Sequence, residues 1–279
     1  MSRSACLIVN PSAGGGRSEQ RLPPIEAVLR AHGVPFRVER TRSLEHAREL
    51  ATEAAARGEV AAPVGGDGLC GAVAHALRGG SGAMCPLPGG RGNDFVRKLG
   101  IPADPGAAAG VLATGVETSI DVAEAGGATY LGIASAGFDS DCNELALKTR
   151  LRLGQFVYVY AALRALVAWK PARWTVTIDG ERREFSGYSV AVSNSGIFGG
   201  GMRLVPDAAM DDGLLDVVLS ADAPKTSYLK GLPRVFKGTH VDDPALTFLK
   251  AREVTFEADR PFTAYADGDP IAPLPATFR

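Results

Sequence analysis

Short apolar runs alternate with helical stretches through the first 120 or so residues, the rhythm of a parallel sheet whose strands are joined by crossover helices. The runs at 4–10, 34–40, 59–64 and 83–87 predict strands, and 18–32, 44–57, 69–78 and 105–114 predict helices. Ser43 suits the N-cap of the second helix, with Glu45 and Glu49 in its early turns. Between Val116 and Val122 the pattern changes to alternating strands separated by glycine turns such as Ala125-Gly126-Gly127 and Asp179-Gly180. There, 173–179, 184–193, 214–219, 252–257 and 261–266 predict strands, and 140–149 and 155–169 predict helices. The expected architecture is an α/β domain over 1–120 followed by a mainly antiparallel β domain over 121–279.

Composition narrows the function classes. With 279 residues, 46% of them hydrophobic, the chain has ample material for a core. Thirty basic and 31 acidic residues leave a formal charge of −1, so no overall cationic field would hold it on nucleic acid. The four cysteines, Cys6, Cys70, Cys85 and Cys142, form no C-x-x-C pair and do not cluster with the four histidines, which argues against structural zinc and disulfides and for a reducing, cytoplasmic setting. The apolar run Ala5 to Val9 is too short for a signal-peptide core. Phe156 to Trp169, interrupted by Arg164, falls short of the roughly 20 residues a membrane span needs.

Three loops carry the candidate chemistry: Asn10 to Arg17, Gly65 to Gly68, and Gly89 to Asp94. Each follows a strand and precedes a helix, so all three belong at the carboxyl edge of the sheet, where helix N-termini present unpaired N–H groups to anions. Glycine lets backbone approach phosphate oxygens closely and permits positive φ, which suits a polyphosphate. The Walker pattern G-x-x-x-x-G-K-[ST] does not occur.

The segments LIVNPSAGGGR (7–17), VGGDGLCGAVAHAL (64–77), LPGGRGNDF (87–95), VPDAAMDDGLLDVVL (205–219) and YADGDP (265–270) stand in the order found in the diacylglycerol kinase catalytic family, and the chain resembles that family over nearly its whole length. It is similar to the short bacterial lipid kinases, related to sphingosine kinases and more distantly to NAD kinases and phosphofructokinases. The resemblance implies a nucleotide-binding domain over 1–120, a substrate and metal domain over 121–279, and an ATP cleft between them. Asn10, Pro11, Ser12, Ala13, Gly14 and Arg17 would wrap the ATP phosphates, with Thr41 near the nucleoside. Gly65, Gly66, Asp67, Gly68 and Leu69 would form the central phosphate turn, and Arg91, Asn93 and Asp94 would complete the nucleotide site. Asp67 and Asp269 are the implied catalytic carboxylates, with the division of labour between them open. Asp212 and Asp216, in a network with Asp121, would hold a structural Mg2+; a solvated acidic turn has the same sequence pattern.

Three positions depart from the family pattern. Leu69 replaces the usual threonine, as in sphingosine kinases; Arg91 replaces a small hydroxyl residue; and Asp269 replaces the usual glutamate. Asp269 keeps the carboxylate with about one methylene less reach, and a misplacement near 1 Å costs on the order of 100-fold in rate.

The expected activity is an ATP:alcohol phosphotransferase acting on diacylglycerol or a related lipid alcohol. Along 154–169, Phe156, Val159, Tyr160, Leu163 and Val167 share one helical face, which would either line an acyl pocket or cover the sheet as core. Lys148, Arg150, Arg152, Arg164 and Lys170 would either meet anionic headgroups at a membrane surface or form a solvated flank. Two alternatives stay open: a kinase of a soluble alcohol, and a non-catalytic nucleotide-binding homologue. A homodimer is compatible with the sequence.

Overall fold

The computed structural model describes residues 3–148, 160, 164–166 and 169–279. Most of the predicted 155–169 helix and its cationic approach therefore lie outside the described residues. The chain divides into two compact units, Met1–Ile120 and Asp121–Arg279.

In the first unit β1 (Ala5–Val9), α1 (Arg17–Ala31), β2 (Phe36–Arg40), α2 (Leu44–Ala56), β3 (Val60–Gly65), α3 (Asp67–Leu77), β4 (Leu87–Pro88), α4 (Asp94–Lys98) and α5 (Pro105–Thr114) follow in order. The strands form a parallel sheet in the order β2-β1-β3-β4. β1 is an unbroken apolar run because both its faces are covered. Ala5, Leu7 and Val9 pack with Leu22, Ile25 and Leu29 of α1 and Ala108 and Leu112 of α5, while Cys6 and Ile8 pack with Leu50 and Ala54 of α2 and Val73 of α3. Ser43 caps α2, accepting a hydrogen bond from the His46 N–H at 3.1 Å. The predicted strand at 83–87 is cut to Leu87–Pro88, with Met84 making only an isolated bridge to Ala61. Pro86 and Pro88 have no N–H to extend the ladder. Since α1 and α3 follow neighbouring strands yet cover opposite faces, the sheet's chain order reverses between β1 and β3, and a crevice opens at their carboxyl ends.

The second unit comprises β5 (Ala123–Ala125), β6 (Ala128–Tyr130), β7 (Ile133–Gly137), α6 (Phe138–Lys148), β8 (Ala172–Ile178), β9 (Glu181–Ser193), β10 (Ile197–Phe198), β11 (Met202–Arg203), β12 (Leu215–Ala221), α7 (Lys225–Lys237), β13 (Leu246–Ala251), β14 (Val254–Ala258), β15 (Thr263–Ala266), β16 (Asp269–Pro273) and β17 (Ala276–Phe278). Its large sheet is antiparallel throughout, in the order β16-β15-β7-β9-β8-β14-β17-β5-β6, with β12 and β13 branching from β9. The long β9 pairs with β8 through Glu181–Gly187 and then serves both β7 and β12. The core around Trp174, Phe256, Phe278 and Tyr130 is fully buried. The strands β7, β13, β16 and β17 and the helix α7 were not expected from the sequence pattern. Among the described residues, no helix is long and apolar enough to cross a membrane.

Candidate functional site

The three glycine loops of the first unit meet backbone to backbone. A Cβ on Gly90 would stand 2.4 Å from Gly66 Cα, one on Gly89 would stand 2.7 Å from Gly65 N, and one on Gly14, where φ is +60°, would stand 2.7 Å from Gly89 O. No side chain longer than hydrogen fits at these crossings, so the glycines are what allow the loops after β1, β3 and β4 to converge at the crevice.

Polar side chains fix each loop. Asn10 Oδ1 accepts from the Ser12 N–H at 3.1 Å and the Ser12 hydroxyl at 2.8 Å, and Arg17 Nε donates to Gly14 O at 2.9 Å. Thr41 is buried, its N–H donating to Val9 O at 2.8 Å. Asn93, in the left-handed region at φ 52°, accepts from the Gly90 N–H at 2.8 Å and donates back to Gly90 O at 3.2 Å. Asp67 opens α3, and its Oδ1 accepts from the Phe95 N–H at 2.9 Å, tying the second loop to the first turn of α4.

Gly92 leaves a cradle between two carboxylates. Asp67 Oδ2 and Asp94 Oδ2 each lie 3.2 Å from the point where a Gly92 Cβ would sit. Asp94 is buried, and its other oxygen is 2.5 Å from Arg97. Two carboxylates on either side of one cradle are a donor set suited to Mg2+, which is typically held by one or two carboxylates together with substrate phosphates. Leu69 behaves differently from its neighbours: its side chain is 3% exposed, fills the space beside Gly65 and joins the core with Ile8, so it does not face the crevice. Arg91 is exposed and makes no ion pair among the described residues.

The second unit carries the remaining predicted residues. Asp121 Oδ2 accepts from the Gly213 N–H at 2.7 Å, and Asp212 Oδ1 accepts from the Leu214 N–H at 3.0 Å. Lys250 Nζ lies 2.5 Å from Asp212 Oδ2 and 3.5 Å from Asp216 Oδ1. The bond to Lys250 holds the Asp212 carboxyl below the usual carboxylate range, and the same bond raises the lysine. No group of three or more metal-binding side chains occurs among the described residues. The turn as arranged does not fit a divalent ion, because the ammonium stands between two of its three carboxylates.

Asp269 begins β16 and is exposed as a residue, yet the protein packed around its carboxyl raises it above the usual range by desolvation. The turn before it is held by Asp267, at φ 53°, whose two oxygens accept from the Leu131 and Gly132 N–H groups, both at 2.9 Å. A Cβ on Gly132 would stand 2.3 Å from Asp267 Oδ1. Buried Asn194 joins this clamp, donating from Nδ2 to Asp121 O at 3.0 Å and Leu131 O at 3.3 Å and from its backbone to Gly132 O at 2.9 Å. Nothing in the sequence pattern marks Asp267 or Asn194 for this role beyond the Asp-Gly turn itself.

An apolar pocket also lies within the second unit. Phe138 of α6, Tyr188 of β9, Phe198 of β10, Met202 of β11, and Leu232 and Val235 of α7 line it. In its lining Phe138 packs edge-on against Tyr228 and Tyr188, with centroids 4.7 and 5.9 Å apart. Two carboxyl residues, Asp139 and Asp243, stand in this wall. Asp139 Oδ1 accepts from the Tyr228 hydroxyl at 3.2 Å, and burial pushes Asp139 up despite that bond and one to Ser189.

Residues 4–125 match the diacylglycerol kinase catalytic domain, and residues 132–279 match the YegS C-terminal NAD kinase beta sandwich-like domain. A diacylglycerol kinase of Mycobacterium tuberculosis is 34% identical over 281 residues, covering 96% of this chain and 89% of that protein. This chain belongs to the diacylglycerol kinase family. A probable lipid kinase YegS-like protein of Pseudomonas fluorescens is 30% identical, covering 96% of this chain and 89% of its own length. Two solved chains described as diacylglycerol kinases of Bacillus anthracis share the fold, with TM-scores of 0.83 and 0.77 at 23% and 22% identity; each covers all of this chain, which spans 92% and 93% of them. As in other members of this kinase family, an α/β unit with a parallel sheet precedes an antiparallel β unit. Kinase chemistry and the use of a nucleotide come with that membership.

Proposed function

We propose that this protein is an ATP-dependent lipid kinase that transfers the γ-phosphate to a hydroxyl of diacylglycerol or a related lipid alcohol. The observation that carries the reading is the convergence of three glycine loops on Asp67, at the carboxyl end of a parallel sheet. Backbone N–H groups of these loops and the first turn of α3 hold the triphosphate. Asp67 and Asp94 would hold the accompanying Mg2+, which would neutralise charge on the triphosphate. Asp67 has one oxygen committed to the Phe95 N–H, which fits it to positioning. Asp269, with its raised carboxyl, fits the base: it accepts the acceptor's hydroxyl proton as that oxygen bonds to the γ-phosphorus and ADP leaves. The apolar pocket supports a lipid over a soluble alcohol, since most of its wall is aromatic or aliphatic, with Asp139, Asp243 and His240 as its charged or titratable members.

The test supplies labelled ATP and Mg2+ with diacylglycerols, sphingoid bases and soluble alcohols. Label should enter a lipid and disappear with Asp67→Asn. Asp269→Asn should lower kcat by about 100-fold. The base must be ionised, so wild-type turnover should fall as pH drops through the raised Asp269 pKa, and the Asn variant should lose that limb. ATP binding without transfer to any acceptor would leave a non-catalytic homologue, and label confined to soluble alcohols would reject the lipid.

A further inference from the structure

Gly65-Gly66-Asp67-Gly68 and Gly89-Gly90-Arg91-Gly92 are two four-residue stretches that carry one side chain each. They cross backbone to backbone, Gly90 on Gly66 and Gly89 on Gly65, at the carboxyl ends of β3 and β4. That edge of the crevice therefore presents one anion, Asp67, one cation, Arg91, and otherwise bare main chain.

The cation does not pair with the carboxylates next to it. Asp67 and Asp94 each place an oxygen 3.2 Å from the Cβ position of Gly92, the residue after Arg91. Yet Asp67 Oδ1 takes the Phe95 N–H, and Asp94 takes Arg97. Arg91 is exposed and has no side-chain partner among the described residues. Three other arginines at these loops are committed: Arg17 to Gly14 O, Arg21 to Pro88 O and Ala103 O, and Arg97 to Asp94. A cation held one residue from two carboxylates and bound to neither is free for an anion that arrives with the ligand. The guanidinium is also the side chain whose planar fork of N–H donors matches phosphate oxygens.

We propose that Arg91 pairs with the triphosphate of the bound nucleotide, so that the protein itself carries part of the counter-charge that Mg2+ otherwise supplies. The assignment rests on the reading of this crevice as the ATP site. It adds a property that the family pattern lacks, because the small hydroxyl residue usual at this position has no charge to offer. Asp67 and Asp94 place negative charge beside a ligand that is itself strongly anionic, which opposes binding of the metal-free nucleotide. Arg91 reduces that repulsion, and ATP affinity survives removal of the metal in part.

The experiment measures ATP binding to the full chain by calorimetry, in Mg2+ and in EDTA, for wild type, Arg91→Thr and Arg91→Lys. Wild type should bind ATP measurably in EDTA. Arg91→Thr should weaken binding by about tenfold in Mg2+ and by about 100-fold in EDTA, where the guanidinium is left as the main counter-charge. Arg91→Lys keeps the charge without the fork and should fall between the two. Melting of the ligand-free variants should match wild type, since the exposed side chain supports nothing in the fold. Unchanged or tighter ATP binding by Arg91→Thr overturns the proposal, as does a wild type that binds no ATP in EDTA. A loss of equal size in Mg2+ and in EDTA also overturns it, because a role in shaping the loop alone predicts that result. If ATP affinity depends on Arg91 as stated but no acceptor is phosphorylated, the kinase reading fails and the assignment of Arg91 stands. If a lipid is phosphorylated and ATP affinity ignores Arg91, the reverse holds.

Discussion

The phosphate end of the first unit and the apolar pocket of the second are built from opposite materials. In the first, main chain touches main chain: Gly90 lies against Gly66, Gly89 against Gly65, and Gly14 against Gly89. In the second, the walls are side chains from α6, α7 and several strands. The difference follows from the ligands. Phosphate oxygens are met by N–H groups that nearly every residue carries, so such a site needs proximity, which glycine supplies. An acyl chain offers only surface to bury, so its site needs bulk placed at many points. One added methyl should therefore be ruinous in the first region, while changes in the second should act in grades.

Gly90→Ala is the strongest way to break that contrast. Its Cβ would meet backbone at 2.4 Å, where no side chain can swing aside. Overpacking of this kind costs about 1–3 kcal/mol, and here the loops it separates are the ones that hold the triphosphate. ATP binding by calorimetry should vanish, and chemical denaturation should show the stability loss. Gly110→Ala is the control. It lies in α5 with nothing within 4 Å of the new Cβ, so helix propensity should add about 0.5–1 kcal/mol. A Gly90→Ala protein that binds ATP as wild type does would refute the backbone crossing as the organiser of the site.

Asp267 and Asp269 give the same contrast within one turn. Asp267→Ala removes a charged acceptor from two N–H groups and leaves both inside the fold, a loss of roughly 3 kcal/mol. Asp269→Ala, at an exposed position, should leave the unfolding midpoint nearly unchanged while lowering kcat by about 100-fold, as expected of Asp269→Asn. If the two variants unfold alike, the clamp on Leu131 and Gly132 contributes no stability.

The same physics decides what the sequence makes legible. The glycine loops lie in single short segments between a strand and a helix, so Asn10, Gly65–Gly68 and Asn93 can be picked out without a structure. Asp267 cannot, because its partners stand 136 and 135 residues away. Lys250 is hidden for the same reason, 38 residues from Asp212. β7 reads Ile-Ala-Ser-Ala-Gly, all buried but too small and mixed to announce a strand, and α7 contains Gly231 and Pro233, which lower its helical signal. The family resemblance puts Leu69 in the phosphate turn, at the place of the usual threonine, yet the first turn of α3 rotates it into the core.

Asp139 tests the pocket by titration. Burial raises its folded pKa above the unfolded value near 4, so the protonated form favours the fold. Its contribution is complete below the unfolded pKa and is lost as pH rises through the folded pKa. Asp139→Asn lacks this dependence, so the difference in unfolding midpoint between variant and wild type should move in the variant's favour across that interval. A difference that stays constant with pH would mean that Asp139 is well solvated and that its part of the pocket wall is wet.

The smallest effect concerns the acidic turn, where Lys250 competes with the metal that family resemblance implies. Lys250 is nearly half exposed, so its pair with Asp212 is screened and Lys250→Met should cost only about 1 kcal/mol. The informative readout is the response to Mg2+ without nucleotide. With the ammonium present, wild-type melting should be indifferent to millimolar Mg2+ or to a chelator, because the charge of Asp212 and Asp216 is already met. Removing the ammonium withdraws that cation from both carboxylates, and Mg2+ should then raise the variant's midpoint towards that of wild type. The reverse pattern, a wild type stabilised by Mg2+ and a variant with no added response, would show that Lys250 yields the turn to a divalent ion, as the sequence motif implies.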